Sequence, residues 1–305
     1  MRIAHVSDLH LLTQDDVPLS RFLNKRVTGL LNLKLKRNQK HRPGHLAAVL
    51  RRVRTWAPDH VVVTGDLTNL ALESEFEAVR ELLETELGMS PDQISVVPGN
   101  HDLYTRGALR SRRFTEYFAD YIKTDLPGTA ADVALGPFPY VKLRGQVAII
   151  GLSSAVPRLP LMAAGELGAP QREALIRILE HPEVRSRTPI ILMHHPPHNP
   201  TSQAKAFAEG LHDAHLLRGH LTPLRRALVL HGHLHRRIQQ ALAPNVTSVG
   251  ATSASLQHED QDRMAGFNTY EIDDLSGEIG PLGAQVFAPE GVTFDERGIP
   301  VGTWH

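Results

Sequence analysis

Five short segments, far apart in the chain, place carboxylate, amide and imidazole side chains directly after apolar runs. They read Asp8-Leu9-His10, Gly65-Asp66-Leu67-Thr68-Asn69, Gly99-Asn100-His101-Asp102, His194-His195-Pro196 and Gly232-His233-Leu234-His235. Two Asp, one Asn and several His from these segments would make up the ligand set of a hydrolytic site with two metal ions. Such ligands suit Mn²⁺, Fe or Zn²⁺ better than Ca²⁺.

The spacing within the segments supports this interpretation. Asp8 and His10 lie two residues apart at the end of an apolar run, and side chains two apart in a strand point the same way. Asp66 adds a carboxylate whose two oxygens can bridge two cations. The neutral amide of Asn100 limits negative charge and leaves bound cations strongly Lewis acidic. Taken singly, each segment has a plainer interpretation, such as unrelated surface residues at 8–10 or a polar turn at 99–102.

Short apolar runs alternate with longer segments of helical period, which is typical of a layered α/β fold. The predicted buried strands cover residues 3–6, 61–64, 94–97, 147–152, 190–193 and 228–230. All but the fourth lead directly into one of the five segments, so the loops after the strands can turn the ligands towards one cleft. Helices are predicted at 44–57, 73–87, 110–123 and 170–181, helical pieces at 202–226, and short strands at 236–287.

Composition excludes several classes of protein. The chain has 305 residues and 41% hydrophobic content, enough for a large core, and we predict one domain over 1–305. It contains no Cys, so a disulfide framework and a thiolate metal site are excluded. The first residues are too interrupted for a signal peptide, and no stretch approaches the roughly 18 apolar residues of a membrane span. We therefore expect a cytoplasmic protein.

The five segments resemble, in this order, the pattern of the calcineurin-like metallophosphoesterase superfamily: D-x-H, G-D-x-x-N/D, G-N-H-D/E, H and G-H-x-H. The resemblance covers about residues 2–250, and all five motifs match. It implies a four-layer α/β sandwich of two mixed β-sheets flanked by helices, with a bimetal site at the C-terminal ends of the strands. It also implies phosphoester hydrolysis by a metal-bridging hydroxide, with two divalent or trivalent ions (Mn²⁺, Fe or Zn²⁺) as cofactors.

The same resemblance assigns each ligand to a metal ion. The first ion would be bound by Asp8, His10, Asp66 and His235, and the second by Asp66, Asn100, His194 and His233. Asp66 would bridge the two ions. His194, the first of its pair, matches the family ligand better than His195, which would lie beside the cleft or pack beneath it.

His101 takes no metal ion in this assignment. We expect it to protonate the leaving alkoxide or to stabilise the phosphoryl oxygens, with Asn69 and Asp102 as further catalytic candidates. In the resembling protein Ser/Thr phosphatases an Asp orients this histidine, whereas Asn69 stands at that position here. This departure, the absence of D-R-G after Gly65-Asp66 and the final Asp of G-N-H-D favour the bacterial phosphodiesterase branch.

The function implied is hydrolysis of phosphodiesters, and two alternatives stay open. One is a pyrophosphatase or phosphodiesterase that acts on a nucleotide-linked or membrane lipid. The other is a non-catalytic scaffold of the same fold, which is disfavoured because no ligand position has been lost. His195, His198 and Arg106 are candidate substrate contacts, and a solvated surface role is the alternative for Arg106.

A basic amphipathic helix is predicted in an insertion at about 17–42. The segment 19–42 holds eight positive charges and no acidic residue: Arg21, Lys25, Arg26, Lys34, Lys36, Arg37, Lys40 and Arg42. Its apolar residues up to about 31 fall at helical spacing. The helix could pack on the sandwich with its charges in solvent, or contact an anionic membrane surface or lipid. Nucleic acid is disfavoured because Phe22 is the only aromatic residue there. A C-terminal extension is predicted from about 275.

Overall fold

Two six-stranded β-sheets form the centre of the structure, a computed structural model that describes residues 1–11, 41–103, 107, 110–133, 136–158, 162–288 and 293–303. In chain order the strands are β1 (Arg2–Val6), β2 (His60–Thr64), β3 (Ile94–Val97), β4 (Ala131–Val133), β5 (Gly136–Phe138), β6 (Tyr140–Arg144), β7 (Val147–Gly151), β8 (Thr188–Leu192), β9 (Ala227–His231), β10 (Ile238–Ala243), β11 (Val246–Gly250), β12 (Gly266–Glu271), β13 (Gly283–Phe287) and β14 (Phe294–Gly298). The helices are α1 (Pro43–Trp56), α2 (Glu73–Leu82), α3 (Arg113–Phe118), α4 (Ala169–Glu180), α5 (Pro182–Arg185), α6 (Gln203–Glu209) and α7 (Ala214–Leu221).

Both sheets are mixed. The first has the order β14-β13-β12-β1-β2-β3, with β1, β2 and β3 parallel and β12 to β14 antiparallel. The second has the order β10-β11-β9-β8-β7-β6, with β7, β8, β9 and β11 parallel and antiparallel strands at both edges. A small hairpin of β4 and β5 lies apart from them.

Strand periodicity divides the apolar side chains of the second sheet between two cores. Ile149 of β7 and Ile190 of β8 belong to the core shared with the first sheet. Their neighbours Ile150 and Ile191 belong to the core beneath α4 and α7. Successive side chains of a strand point to opposite faces, so a strand buried on both sides reads as an uninterrupted apolar run.

The helices cover the outer faces of the sheets through apolar stripes. In α1 the buried residues are Leu46, Val49, Leu50 and Val53, which recur at the helical spacing of three and four. The helix begins at Pro43, whose fixed φ suits a first turn, and ends before Ala57 in the left-handed region. The predicted sandwich of two mixed sheets flanked by helices is therefore confirmed, and the predicted helices and strands match the observed ones to within a few residues at most ends.

The loops that carry the five segments leave strand ends at one edge. They follow β1, β2 and β3 of the first sheet, and β8 and β9 of the second. The first two loops are joined directly, because Asp8 N–H donates to the Gly65 carbonyl and His10 N–H to the Asp66 carbonyl, each at 3.0 Å. Parallel strands that end at the same edge thus bring together residues separated by more than 200 positions.

Two further predictions concern the ends of the chain and the insertion. Residues beyond about 275 add β13 and β14 to the edge of the first sheet. Most of segment 17–42 lies outside the described residues, so its helix and its membrane contact stay predictions, which co-sedimentation with anionic vesicles tests. Within the described part of the chain, no helix has the length and apolar character to cross a membrane.

Candidate metal centre

Asp8, His10 and His235 form one half of the site. The Nε2 atoms of His10 and His235 are 3.0 Å apart, and Asp8 Oδ1 lies 3.1 Å from His235 Nε2 and 3.8 Å from His10 Nε2. Asp8 and His10 are buried, and the His235 side chain is 16% exposed. Two imidazole nitrogens and a carboxylate oxygen therefore converge on one point, as in the predicted first metal position.

Asn100, His194 and His233 lie on the other side of Asp66. His194 Nε2 is 3.1 Å from Asn100 Oδ1 and 3.5 Å from Asp66 Oδ2, and the ring centroids of His194 and His233 are 5.1 Å apart. Asp66 Oδ2 is also 3.9 Å from His10 Nε2. One oxygen of Asp66 thus faces both halves, which is the position that a bridging ligand requires.

Backbone carbonyls determine which nitrogen of these histidines points into the site. His194 Nδ1 is 2.8 Å from the Thr64 carbonyl, so it carries the proton and leaves Nε2 as a ligand atom. His233 Nε2 is 3.1 Å from the Glu209 carbonyl, which by the same reasoning leaves Nδ1. His101 Nδ1 is 2.9 Å from the Asn69 carbonyl, and Nε2 is its second nitrogen.

The ligand loops adopt a backbone that most residues avoid. Asp8, His10, Asp66, His233 and His235 all have φ between 48° and 68°. Positive φ at residues other than glycine costs free energy and tends to occur where a site demands it. The five side chains are therefore held by loops whose conformation serves the site rather than the local preference of each residue.

Gly232 allows the fifth loop to pass close to the first. A Cβ atom at this position would overlap Ser7 Oγ and Asp8 Oδ2. The absence of a side chain brings the next residue close enough for His233 N–H to donate to Asp8 Oδ2 at 3.1 Å. A glycine is thus required at position 232 because the fifth loop passes close to Ser7 and Asp8, and not because of the backbone angles of Gly232.

The charged groups of the site shift one another's pKa values. Burial by itself raises the pKa of Asp66, but His194, His101 and His10 outweigh it and hold that pKa well below the usual value. Burial lowers the pKa of His194, and the Asp66 carboxylate raises it. The net result is a pKa of about 9. The carboxylate therefore attracts positive charge, which a metal ion supplies more effectively than a proton.

Asp8 is supported from behind by a buried chain of hydrogen bonds. Tyr270 Oη pairs with His5 Nδ1 at 2.9 Å, His5 Nε2 with Thr64 Oγ1 at 2.8 Å, and Thr64 Oγ1 donates to Ser7 Oγ at 2.8 Å. Ser7 Oγ donates to Asp8 Oδ2 at 2.7 Å. Burial lowers the pKa of His5 to about 3, so its neutral ring can accept one hydrogen bond and donate another. The five segments did not predict this chain of hydrogen bonds, although a polar His5 inside an apolar strand was a signal of it.

The catalytic candidates occupy different places. His101 lines the cleft, and its backbone N–H donates to Asp66 Oδ1 at 2.8 Å. Asn69 orients His101 through its backbone carbonyl, whereas its side chain donates to the His10 carbonyl at 2.5 Å. Asp102 is fully buried and accepts hydrogen bonds from Leu67, Thr68 and Gly99. Its carboxylate joins the second and third ligand loops, so the geometry gives it a positioning role.

Of the three predicted substrate contacts, neither of the two that the structure describes lines the cleft. His195 is fully buried, with Nδ1 2.8 Å from Ser154 Oγ and Nε2 2.8 Å from the Ala163 carbonyl, so both nitrogens are engaged. His198 is half-buried and is absent from the residues that line the cleft. Arg106 lies outside the described residues. The structure instead places Lys205, Arg236 and Arg263 along the wall, and nothing in their sequence context indicated this.

A cleft of about 480 Å³ opens above the converging side chains. Its described lining comprises Asp66, Asn100, His101, Ala163, Lys205, Glu209, His233, Leu234, His235, Arg236, Ile238, Arg263 and Thr303. This volume lies in the range of small-molecule sites and far exceeds the space that a phosphate group needs. The site therefore has potential metal ligands at its floor and room for a substrate above them.

The side chains of the site offer atoms that suit metal ions as ligands. Three groups of described residues place ligand atoms within 4.8 Å of one another: His10 with His41 and His235, His10 with Asp66 and His101, and Asp8 with Asp66 and His194. Asp8 Oδ1 is buried and accepts no hydrogen bond of acceptable geometry from the described residues. A buried anionic oxygen without such a bond is costly unless a cation compensates it. Imidazole, carboxylate and amide donors suit Mn²⁺, Fe or Zn²⁺.

Comparisons with solved structures agree with the observed fold. The structure is similar to purple acid phosphatase PPD1 from yellow lupin (14% identity, 98% of this chain, 53% of that chain, TM-score 0.60). It is also similar to a dimetal phosphatase from Danio rerio (12% identity, 98% of each chain, TM-score 0.57). The sulfate thiohydrolase SoxB from Thermus thermophilus shares the fold as well (16% identity, 93% of this chain, 56% of that chain, TM-score 0.50). This chain thus spans about half the length of the lupin protein.

The sequence itself gives the family. The comparison with curated proteins found no match. The family model described as calcineurin-like phosphoesterase matches residues 1–237, which is most of the 305 residues. The chain therefore belongs to the calcineurin-like phosphoesterase family of metal-dependent hydrolases.

Proposed function

We propose that this protein hydrolyses phosphodiesters, with Asp8, His10, Asp66 and His235 holding one metal ion and Asp66, Asn100, His194 and His233 a second. When bound, the two ions neutralise phosphoryl oxygens and make water a nucleophile at neutral pH. The cleft above these donors is the observation that carries the diester proposal. Its volume of about 480 Å³ and its further lining residues Leu234, Ile238 and Thr303 leave room for the substituents of a diester beside the phosphoryl group.

His101 supplies the proton that a diester needs. An alkoxide is a poor leaving group, and a positioned imidazole that protonates it contributes about 10²–10⁴ in rate. The Asn69 carbonyl lies 2.9 Å from His101 Nδ1, and His101 lines the cleft, so we assign proton transfer to Nε2. The His101 N–H to Asp66 Oδ1 hydrogen bond keeps this residue at a constant distance from the bridging carboxylate.

Turnover of a matched pair of substrates tests the proposal. Mn²⁺-loaded protein is assayed with bis(4-nitrophenyl) phosphate and with 4-nitrophenyl phosphate, beside the Asp66→Ala variant. We expect a higher kcat/KM for the diester and no turnover above background for the variant. A higher kcat/KM for the monoester would refute the diester preference. Failure to cleave either ester with Mn²⁺, Fe²⁺ or Zn²⁺ would favour the scaffold alternative.

A second candidate substrate is a nucleotide-linked diester of pyrophosphate, including a lipid-linked one. The specific observation is the presence of three cationic side chains, Lys205, Arg236 and Arg263, on the cleft wall. Cations beside the reacting phosphoryl group can hold a second phosphate. Arg263→Met should then lower kcat/KM for a nucleoside diphosphate sugar by about tenfold and leave that for bis(4-nitrophenyl) phosphate unchanged. Equal effects on both substrates would exclude a second phosphate contact at this residue.

A further inference from the structure

His41 lies at the first half of the metal centre, although it belongs to none of the five segments. Its ring centroid is 4.9 Å from that of His10 and 5.7 Å from that of His235. One potential ligand atom from each of these three histidines lies within 4.8 Å of the other two. Three imidazoles therefore offer ligand atoms close to one another, where the family pattern accounts for only two of them.

The loop after β11 holds the His41 ring in a defined orientation. His41 Nδ1 is 2.8 Å from the hydroxyl oxygen of the buried Ser255. The Arg42 N–H, next along the backbone, donates to the Ser255 carbonyl at 2.8 Å. A bridge between His41 and Leu256 continues this pairing. Because Nδ1 faces the serine hydroxyl, Nε2 is the nitrogen that can serve as a ligand.

The same loop supports Asp8. Ser253 Oγ donates to the Asp8 carbonyl at 2.6 Å, and it lies 3.2 Å from Ser255 Oγ. His41 and Asp8 are therefore positioned by neighbouring serines of one short segment. Metal-bound histidines usually have such a hydrogen-bond partner at the nitrogen that does not bind the ion.

We propose that His41 is an additional ligand of the first metal ion, beside Asp8, His10, Asp66 and His235. The proposal rests on the two-metal site that underlies the proposed function, but not on the identity of the substrate. A third imidazole at this position would favour ions that prefer nitrogen donors, such as Zn²⁺ or Fe, over Mn²⁺. It would also distinguish the first position, with three imidazoles, from the second, with His194 and His233.

Metal binding in the absence of substrate tests the proposal. The Asn100→Ala variant removes a ligand of the second position only, so its remaining site reports on the first. In this background we compare His41→Ala with His45→Ala, a matched control that removes an imidazole packed against Phe287. Calorimetric titration with Zn²⁺ measures the affinity, and the visible spectrum of the Co²⁺ form reports on the ligands.

We expect His41→Ala to weaken Zn²⁺ binding at the remaining site by at least about tenfold and to change the Co²⁺ spectrum, while His45→Ala does neither. Ser255→Ala should weaken Zn²⁺ binding by less than His41→Ala. If His41→Ala is unfolded by circular dichroism, His41→Gln replaces it in the same comparison. Unchanged affinity and an unchanged Co²⁺ spectrum would overturn the proposal, and because no ester is involved they would leave the diester proposal untouched.

Discussion

The two halves of the metal centre are built in different ways. In the second half, His194 and His233 are oriented by the carbonyls of Thr64 and Glu209. In the first half, His10 and His235 contact each other directly, and the nearby His41 is held by the Ser255 hydroxyl. Backbone carbonyls thus orient the histidines of the second half, whereas a side-chain hydroxyl orients His41 in the first.

This difference has a physical consequence for how each half responds to change. A backbone carbonyl at a strand end is present whatever the side chain, so the orientation of His194 is a property of the sheet. A serine hydroxyl is lost by a single substitution. We therefore expect the first metal position to be the one whose affinity and metal preference vary with sequence, and the second to be the more constant.

Removing Asp66, which joins the two halves, should have the largest effect. Asp66→Ala deletes the oxygen that faces both His10 and His194. We expect loss of both metal ions and a fall in kcat of about 10³-fold or more, since metal ions supply several kcal/mol of transition-state stabilisation. Metal analysis and turnover measure the two effects, with the exposed Asp295→Ala as control. Retention of two ions would contradict a bridging role.

Replacing His101 should separate catalysis from metal binding in both halves. His101→Ala is expected to lower kcat for an unactivated diester by about 10²–10⁴, because the leaving alkoxide loses its proton donor. Metal content should stay at the wild-type value. A diester with a nitrophenolate leaving group needs less protonation and should be affected less. An unchanged rate with the unactivated diester would refute the acid role.

Substitutions confined to one half should each remove one metal ion. Asn100→Ala is expected to bind one equivalent in place of two, and His10→Ala is expected to do the same through loss of the other ion. Affinity at the damaged position should fall by at least about tenfold. Metal titration of both variants measures the stoichiometry. The comparison between the halves would fail if either variant lost both ions, because the halves would then be a single cooperative unit.

The smallest effect is expected at Asn69. Its side chain donates to the His10 carbonyl, while His101 is oriented by its backbone carbonyl, which Asn69→Ala retains. We expect kcat to fall by less than about tenfold, close to the value of one hydrogen bond. A decrease as large as that of His101→Ala would show that the amide acts on catalysis directly.

Much of the fold was predictable because its signals are local. The apolar runs at 147–152 and 190–193 mark strands buried on both faces, and the stripe of Leu46, Val49 and Val53 marks a helix covering a sheet. Asn69 shows the limit of such reasoning. Its position in a motif suggested a side-chain contact with His101, and the contact is made by its carbonyl because the loop turns the amide towards His10.

The sequence by itself determined the layered α/β fold and which residues offer donor atoms at strand ends, because both follow from periodicity and from residue type. Only the tertiary structure decided that Asp66 Oδ2 faces both halves, that Ser154 and Ala163 engage both ring nitrogens of His195, and that His41 reaches the first metal position. These relations depend on positive-φ loops and on a serine more than 200 residues from His41. Contacts between such distant segments are created by folding, so no local pattern encodes them.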